Sequence, residues 1–235
     1  MVAPALYVLL DLSYPESIAL SLVYSAFTKI VGAVQHARQG TVLWRITLVY
    51  ALTGIPGAVL GSAAVYWAGS AAQRIFPLLM GALLLVVAGL ILTQTMVQGL
   101  FSLPKPFSPH RITAKGVVFI GMFQILVGAL LGITSVGSGS LVILSMLYLF
   151  RMSAREIVGS NIVVALVMVI PAGLTHYAVG GVNWSVLGLL MLGSVVGAVL
   201  GARATLWFPE RGLMFAVAAL IALGAVATIV KAWEP

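Results

Sequence analysis

The chain has no cysteine, which excludes disulfides, thiolate metal sites and thiol catalysis. Acidic residues are nearly as scarce, with five Asp and Glu in 235 residues. Charged residues of both signs make up only 7%, against roughly 25% in a soluble domain. A water-facing surface cannot be built from so few charges. Motifs are missing too. There is no Walker A phosphate loop, no His-Glu-x-x-His and no pair of acids at metal-ligand spacing, so ATP binding by that loop and zinc-protease chemistry are excluded. No cofactor or metal is expected, and the chain does not read as an enzyme.

What remains is apolar. The hydrophobic fraction is 62% and the mean hydropathy is +1.17. Apolar runs lie at about 16–37, 45–68, 74–97, 116–150, 156–177, 184–207 and 211–231. Each is long enough for a bilayer-spanning helix of ~20 residues. The expected fold is all-α, a polytopic helical membrane protein in a cell membrane, in contact with lipid. The apolar Met1-Val-Ala-Pro-Ala-Leu opening lacks the basic leader of a signal peptide. The net charge of +7 fits headgroup anchoring and orientation. Nucleic acid is not an expected partner, and a small anion is.

The 116–150 run is too long for one span and is interrupted by Gly132-Ile-Thr-Ser-Val-Gly-Ser-Gly-Ser140. It reads as a helix, an irregular polar break and a half-helix. Residues 2–11 resemble such a half-helix. The proline-rich stretch 98–115 reads as a wet linker. It separates residues 1–97 from 116–235.

The two parts are copies. Sliding the sequence by 140 residues pairs Glu16 with Glu156, His36 with His176, Gly40 with Gly180, Trp44 with Trp184 and Trp67 with Trp207. It also pairs Gly57-Ala-Val-Leu-Gly61 with Gly197-Ala-Val-Leu-Gly201. Rare residues in register mark an internal repeat, here two tandem four-helix units. On this offset the second copy begins near 112, so the first helix and first break of copy one would precede Met1. The chain is therefore expected to be truncated at its start, or to start too late. Four helices per copy imply parallel copies. That sets Arg74, Arg151, Arg155, Arg203 and Arg211 against Arg38, Arg45, Lys105, Arg111, Lys115 and Lys231, an even split that leaves the orientation open.

Lys29 is the sharpest candidate site residue. It lies mid-helix, where a lysine costs about 2.5–3.5 kcal/mol on insertion scales and usually faces a bundle interior or a pathway. Ser21, Ser25, Lys29, Gly32 and His36 share one arc at 100° per residue. The functional reading is a fixed cation for an anion; the structural one is snorkelling, or pairing with Asp11 or Glu16. Copy two has Asn161, Ala165, Val169, Ala172 and His176 there, so the cation is in one copy only. In the break, Ser135, Gly137, Ser138, Gly139 and Ser140 offer backbone N–H groups and hydroxyls at a half-helix N-terminus, which suits anions. His36 and His176 are candidates for titration or for capping a carbonyl at an interface. Gly57 and Gly61, and Gly193, Gly197 and Gly201, read as close helix packing.

These segments resemble a known family. The glycine break, Val158-Gly-Ser-Asn161, Thr28-Lys29-Ile-Val-Gly32, and Gly180-Gly-Val-Asn-Trp184 are similar to the TauE/SafE sulfite exporters, also called toluene sulfonate uptake permeases. The resemblance implies a secondary carrier for sulfur-containing anions such as sulfite or sulfonates, in a bacterial or archaeal inner membrane. The residues themselves mark out the candidate substrate site: Lys29, Ser25, His36, Ser135, Gly137, Ser138, Gly139, Ser140, Asn161 and His176. Departures are the absent first glycine motif, Ser in place of Gly at 138 and 140, and Asn161 where the family often has Asp, which bears on acid-based coupling. The alternatives are a passive anion channel, a non-transporting assembly subunit, and an intramembrane hydrolase using Ser138 or Ser140 with His176.

Overall fold

In hydrocarbon each backbone N–H and C=O must find its partner inside the chain, and an apolar run does this as a helix. The computed structural model describes residues 2–96, 114–136, 139–180, 182–204 and 210–233. The helices among them are α1 (Val2–Leu9), α2 (Tyr14–Arg38), α3 (Trp44–Trp67), α4 (Ser70–Met96), α5 (Ala114–Thr134), α6 (Ser140–Leu149), α7 (Ala154–Gly180), α8 (Trp184–Ala204) and α9 (Glu210–Trp233). Six of them contain a stretch long and apolar enough to cross a membrane. Large apolar side chains stand outward, as at Val31, Met122 and Leu189, where lipid tails would meet them. The reading of 116–150 as helix, break and half-helix holds, with the break at 135–139. The linker falls almost wholly outside the described residues.

Glycine sets the closest approach. A Cβ on Gly57 would stand 1.9 Å from the Ile125 carbonyl oxygen, and one on Gly61 would stand 2.2 Å from that of Ala129. From the other side, Cβ atoms on Gly128 and Gly132 would meet the carbonyl oxygens of Gly54 and Ala58 at 2.2 and 2.3 Å. Helices α3 and α5 therefore pack backbone to backbone, as small residues allow in membranes. The same expectation fails on α8. A Cβ on Gly193 or Gly197 would meet nothing within 4 Å among the described residues, and the described packing of α8 is at its first turns, where Leu187 meets Leu6 and Leu20. Gly201 lies in the part of α8 whose side chains are not described.

Neighbouring residues fix the helix directions. Gly32 faces Ile162, and Gly173 faces Leu22 and Val23, so α2 and α7 are antiparallel. Gly81, early in α4, faces Ile229, late in α9, so that pair is antiparallel too. Both pairs join helices 140 residues apart. The expectation of parallel copies is thus corrected. The half-helix α6 adds a crossing between them, so the helices 140 residues apart run in opposite directions.

Inversion re-sorts the charges. Among the residues whose side chains are described, one face collects Arg38, Arg45, Arg151 and Arg155. The opposite face has Arg74 and Lys231, accompanied by Asp11 and Glu16. Four against two replaces the even split among these residues, and the positive-inside rule predicts that the basic face is cytoplasmic.

Candidate functional site

The break begins where α5 reaches the opposite face. Ser135 has φ 56°, a left-handed conformation uncommon outside glycine, and it turns the chain back into the bundle. Several bonds hold it there. The Tyr14 hydroxyl donates to the Ile133 carbonyl at 2.8 Å, with that of Phe76 at 3.2 Å. Thr134 Oγ1 accepts from the Val136 N–H at 3.1 Å. The Ser21 and Ser135 hydroxyls lie 2.9 Å apart. Ser21 is two turns along α2 from Tyr14, so the break reaches about 10 Å inward. Helix α6 then runs from this depth towards the basic face, where Ser145 meets Tyr50 at 3.2 Å. Gly139 precedes α6, and among the described residues no side chain caps the first turn of that helix.

Lys29 shares the α2 face of Ser21 and Ser25, about 12 Å beyond Ser21. Its ammonium donates to the Ser25 hydroxyl, and the residue is half-buried. The structural alternative of pairing with Asp11 is not seen, since Asp11 binds Lys231. The contacts of Gly32 with Ile162 and of Gly173 with Leu22 bracket Lys29, which therefore sits near the middle of the antiparallel α2–α7 contact.

The two histidines differ. His176 is fully buried, not at an interface. Its Nε2 lies 3.0 Å from the Gly132 carbonyl, an acceptor only, so Nε2 carries the proton. Its Nδ1 accepts from Tyr66 at 3.0 Å. Both nitrogens are thus occupied by the protein, and neither is turned to a serine of the break. His36 caps the end of α2. Thr41 donates to the His36 carbonyl at 3.1 Å, so the imidazole Nδ1 donates to Thr41 Oγ1 at 2.9 Å. Asn161 is 7% exposed, and its Oδ1 has no hydrogen-bond partner among the described residues. Gly137 and Ser138 lie outside the described residues.

The structure thus brings Ser135 to the α2 stripe that carries Ser25 and Lys29. Asn161 lies far along α7 from the break. Sequence reasoning missed Gln124, which is fully buried with both amide atoms unpartnered. It lies between Gly121 and Gly128 on the side of α5 that meets α3. A lone Gln in an otherwise apolar span was a legible signal. Tyr14 and Tyr66 were missed because aromatics in apolar runs give no warning of the carbonyls they reach.

The profile of the sulfite exporter TauE/SafE family matches residues 1–228. The chain belongs to this family. TauE/SafE relatives include a probable membrane transporter protein, YjnA, of Bacillus subtilis, 29% identical over 92% of this chain and 85% of its own length. A probable membrane transporter protein of Xylella fastidiosa is 26% identical over 99% of this chain and 87% of its own. A second Bacillus subtilis protein of that description, YdhB, is 24% identical over 86% and 79%. No solved structure matches the chain. Family, relatives and spanning helices together make this TauE/SafE chain a multi-pass membrane transporter.

Proposed function

We propose that this TauE/SafE protein carries sulfur-containing anions such as sulfite or sulfonates. In this reading the anion binds between Lys29 and the N-terminal end of α6, beside Ser21 and Ser135. The observation that carries it is Lys29: a half-buried cation in a spanning helix, near the centre of contact between inverted helices. Carrier sites lie at such midplane interfaces. A sulfur oxyanion suits this chemistry, since uncapped N–H groups and the helix dipole favour negative charge. Ser25, Ser135 and Ser140 supply hydroxyl donors, and Gly139 lets an anion approach the backbone. His36 and His176 act indirectly by holding the α2–α3 turn and the break. Asn161 adds an uncharged polar group on α7. The family's description as sulfite exporters supports the substrate class.

The test is flux of labelled sulfite, sulfate and taurine into proteoliposomes. Saturable flux of at least one is expected, with loss in Lys29→Ala and partial return in Lys29→Arg. Full flux in Lys29→Ala overturns the role of Lys29. Flux of none of the three overturns the substrate class.

A further inference from the structure

A groove opens on the seam between α2 and α7. Val23 and Phe27 line it from α2, Ile170, Leu174 and Tyr177 from α7, and Trp184 from the start of α8. All of these but Val23 are exposed, so the groove is an indentation of the apolar surface that faces lipid. It holds about 320 Å³ that no described residue fills. Helix α7 ends at Gly180, on the face opposite the arginines. Its lining residues reach back to Val169, about 16 Å deep at the helical rise. A hydrocarbon core is about 30 Å thick, so the groove has the depth of one leaflet.

Size and chemistry select the occupant. The only polar side-chain atoms in the lining are the Tyr177 hydroxyl and the Trp184 indole N–H. These two rings lie edge to face with centroids 6.1 Å apart, at the end of α7 where amphipathic rings meet the membrane–water boundary. Below them neither water nor a free anion finds a partner, and an ordered water needs about two to four. Left empty, the groove would forfeit the dispersion contacts of its walls. A helix of a second copy is too thick to enter, since one turn about 10 Å across and 5.4 Å tall occupies roughly 400 Å³. A single hydrocarbon chain is slim enough, apolar enough and already present on the open side.

We infer that this groove binds one acyl chain of a membrane glycerophospholipid, drawn from the leaflet opposite the basic face, with the headgroup above Tyr177 and Trp184. The chain lies along Val23 and Phe27 on one side and Ile170 and Leu174 on the other, and so bridges α2 and α7. No charged side chain lines the groove, so the chain is recognised and the headgroup is not. Gly173 keeps the space open. A Cβ there would meet Leu22 and Val23 at 3.7 Å, an ordinary contact, so helix packing does not demand the glycine. Glycine inside a helix is nonetheless less stable than alanine, and the groove supplies a reason for it. This site is separate from the proposed anion site and stands whatever the substrate.

The test reconstitutes the full chain in phospholipid vesicles doped with phosphatidylethanolamine that carries a diazirine in its acyl chain. Photolabelled peptides are mapped by mass spectrometry. Labelling at 23–27 and 169–177 should exceed severalfold that around Leu220 and Leu223, which are exposed on α9. Ala26→Leu and Gly173→Leu fill the groove from its two sides, and each should bring the labelling down to the α9 level; either serves if the other does not fold. Ala219→Leu, on an exposed part of α9, should change nothing. In detergent, added phosphatidylglycerol should raise the melting temperature of wild type by several degrees, as a ligand of the folded state does, and that of the filled variants by much less. Even labelling of all lipid-facing segments overturns the site, and so does labelling that both filled variants leave unchanged. Labelling there by a diazirine fatty acid but not by the phospholipid overturns the lipid class. A dimer that both filled variants dissolve assigns the groove to a second copy and overturns the acyl chain.

Discussion

His176 Nε2 donates to the carbonyl oxygen of Gly132 across 3.0 Å, joining α7 to the last turn of α5. Tyr66 of α3 closes the set through Nδ1. Three helices thus meet on one neutral ring, directly below the break.

That ring should be a fastener. His176→Ala leaves the Gly132 carbonyl without its donor, a loss of about 1–3 kcal/mol when buried, while the Tyr66 hydroxyl keeps the backbone carbonyl of position 176 at 3.1 Å. A clear fall in melting temperature in detergent is expected, with His176→Gln intermediate because its amide both donates and accepts. An unchanged melting temperature in His176→Ala would sink this role.

The α3–α5 seam predicts a sharper effect. A methyl at Gly57 or Gly61 would stand 1.9 or 2.2 Å from a carbonyl oxygen, which only a shift of a whole helix relieves. Gly57→Ala should cost about 3 kcal/mol or more. The recovery of monodisperse protein on size-exclusion chromatography measures it. Wild-type recovery would mean that the helices can separate freely.

Asp11 links pH to the position of α1. Its carboxylate accepts from Lys231 of α9, which also donates to the Tyr7 carbonyl at 2.6 Å. The hydrogen bond from Lys231 and its charge hold the Asp11 pKa below the usual carboxylate value of about 3.9. A pKa lowered by folding gives stability that is present above the unfolded value and lost as pH falls through the folded one. Wild type should therefore exceed Asp11→Asn in melting temperature at neutral pH, and the gap should begin to close near the ordinary carboxylate value of about 3.9 and vanish once the pH is below the lowered folded value. Asparagine tolerates the left-handed φ of 53° at this position, so the comparison isolates the charge. A gap that persists in acid would contradict the assignment.

The charge asymmetry predicts which end faces the cytoplasm. The chain has no cysteine, so a single introduced thiol reports alone. Asp11→Cys should react with a membrane-impermeant maleimide on intact cells, and Arg155→Cys only after lysis. The reverse pattern would invert the orientation.

Much of this was legible beforehand, and particular residues show why. An over-long apolar run interrupted by glycine and serine exposed the half-helix. Lys29 stood out because a cation amid apolar neighbours needs a reason. What escaped was pairing between distant segments. No spacing rule says that Tyr14 caps the end of α5, that Tyr66 orients His176, or that Gly197 lacks what Gly57 has. The direction of the copies was misjudged for a single cause: a ten-residue helix (α6) counts as a crossing when it begins at membrane depth and runs to the surface.

Antiparallel counterparts have one more consequence. Paired helices that run in opposite directions, α2 with α7 and α4 with α9, offer similar apolar faces either way up, so their packing gives the insertion machinery little reason to prefer one orientation. The loops must break that tie. Among the described side chains, four cations on one face stand against two on the other, and at about 1 kcal/mol each beside an anionic leaflet they bias insertion by about 2 kcal/mol. Arginines that lie outside the proposed site thereby decide which compartment its two ends serve.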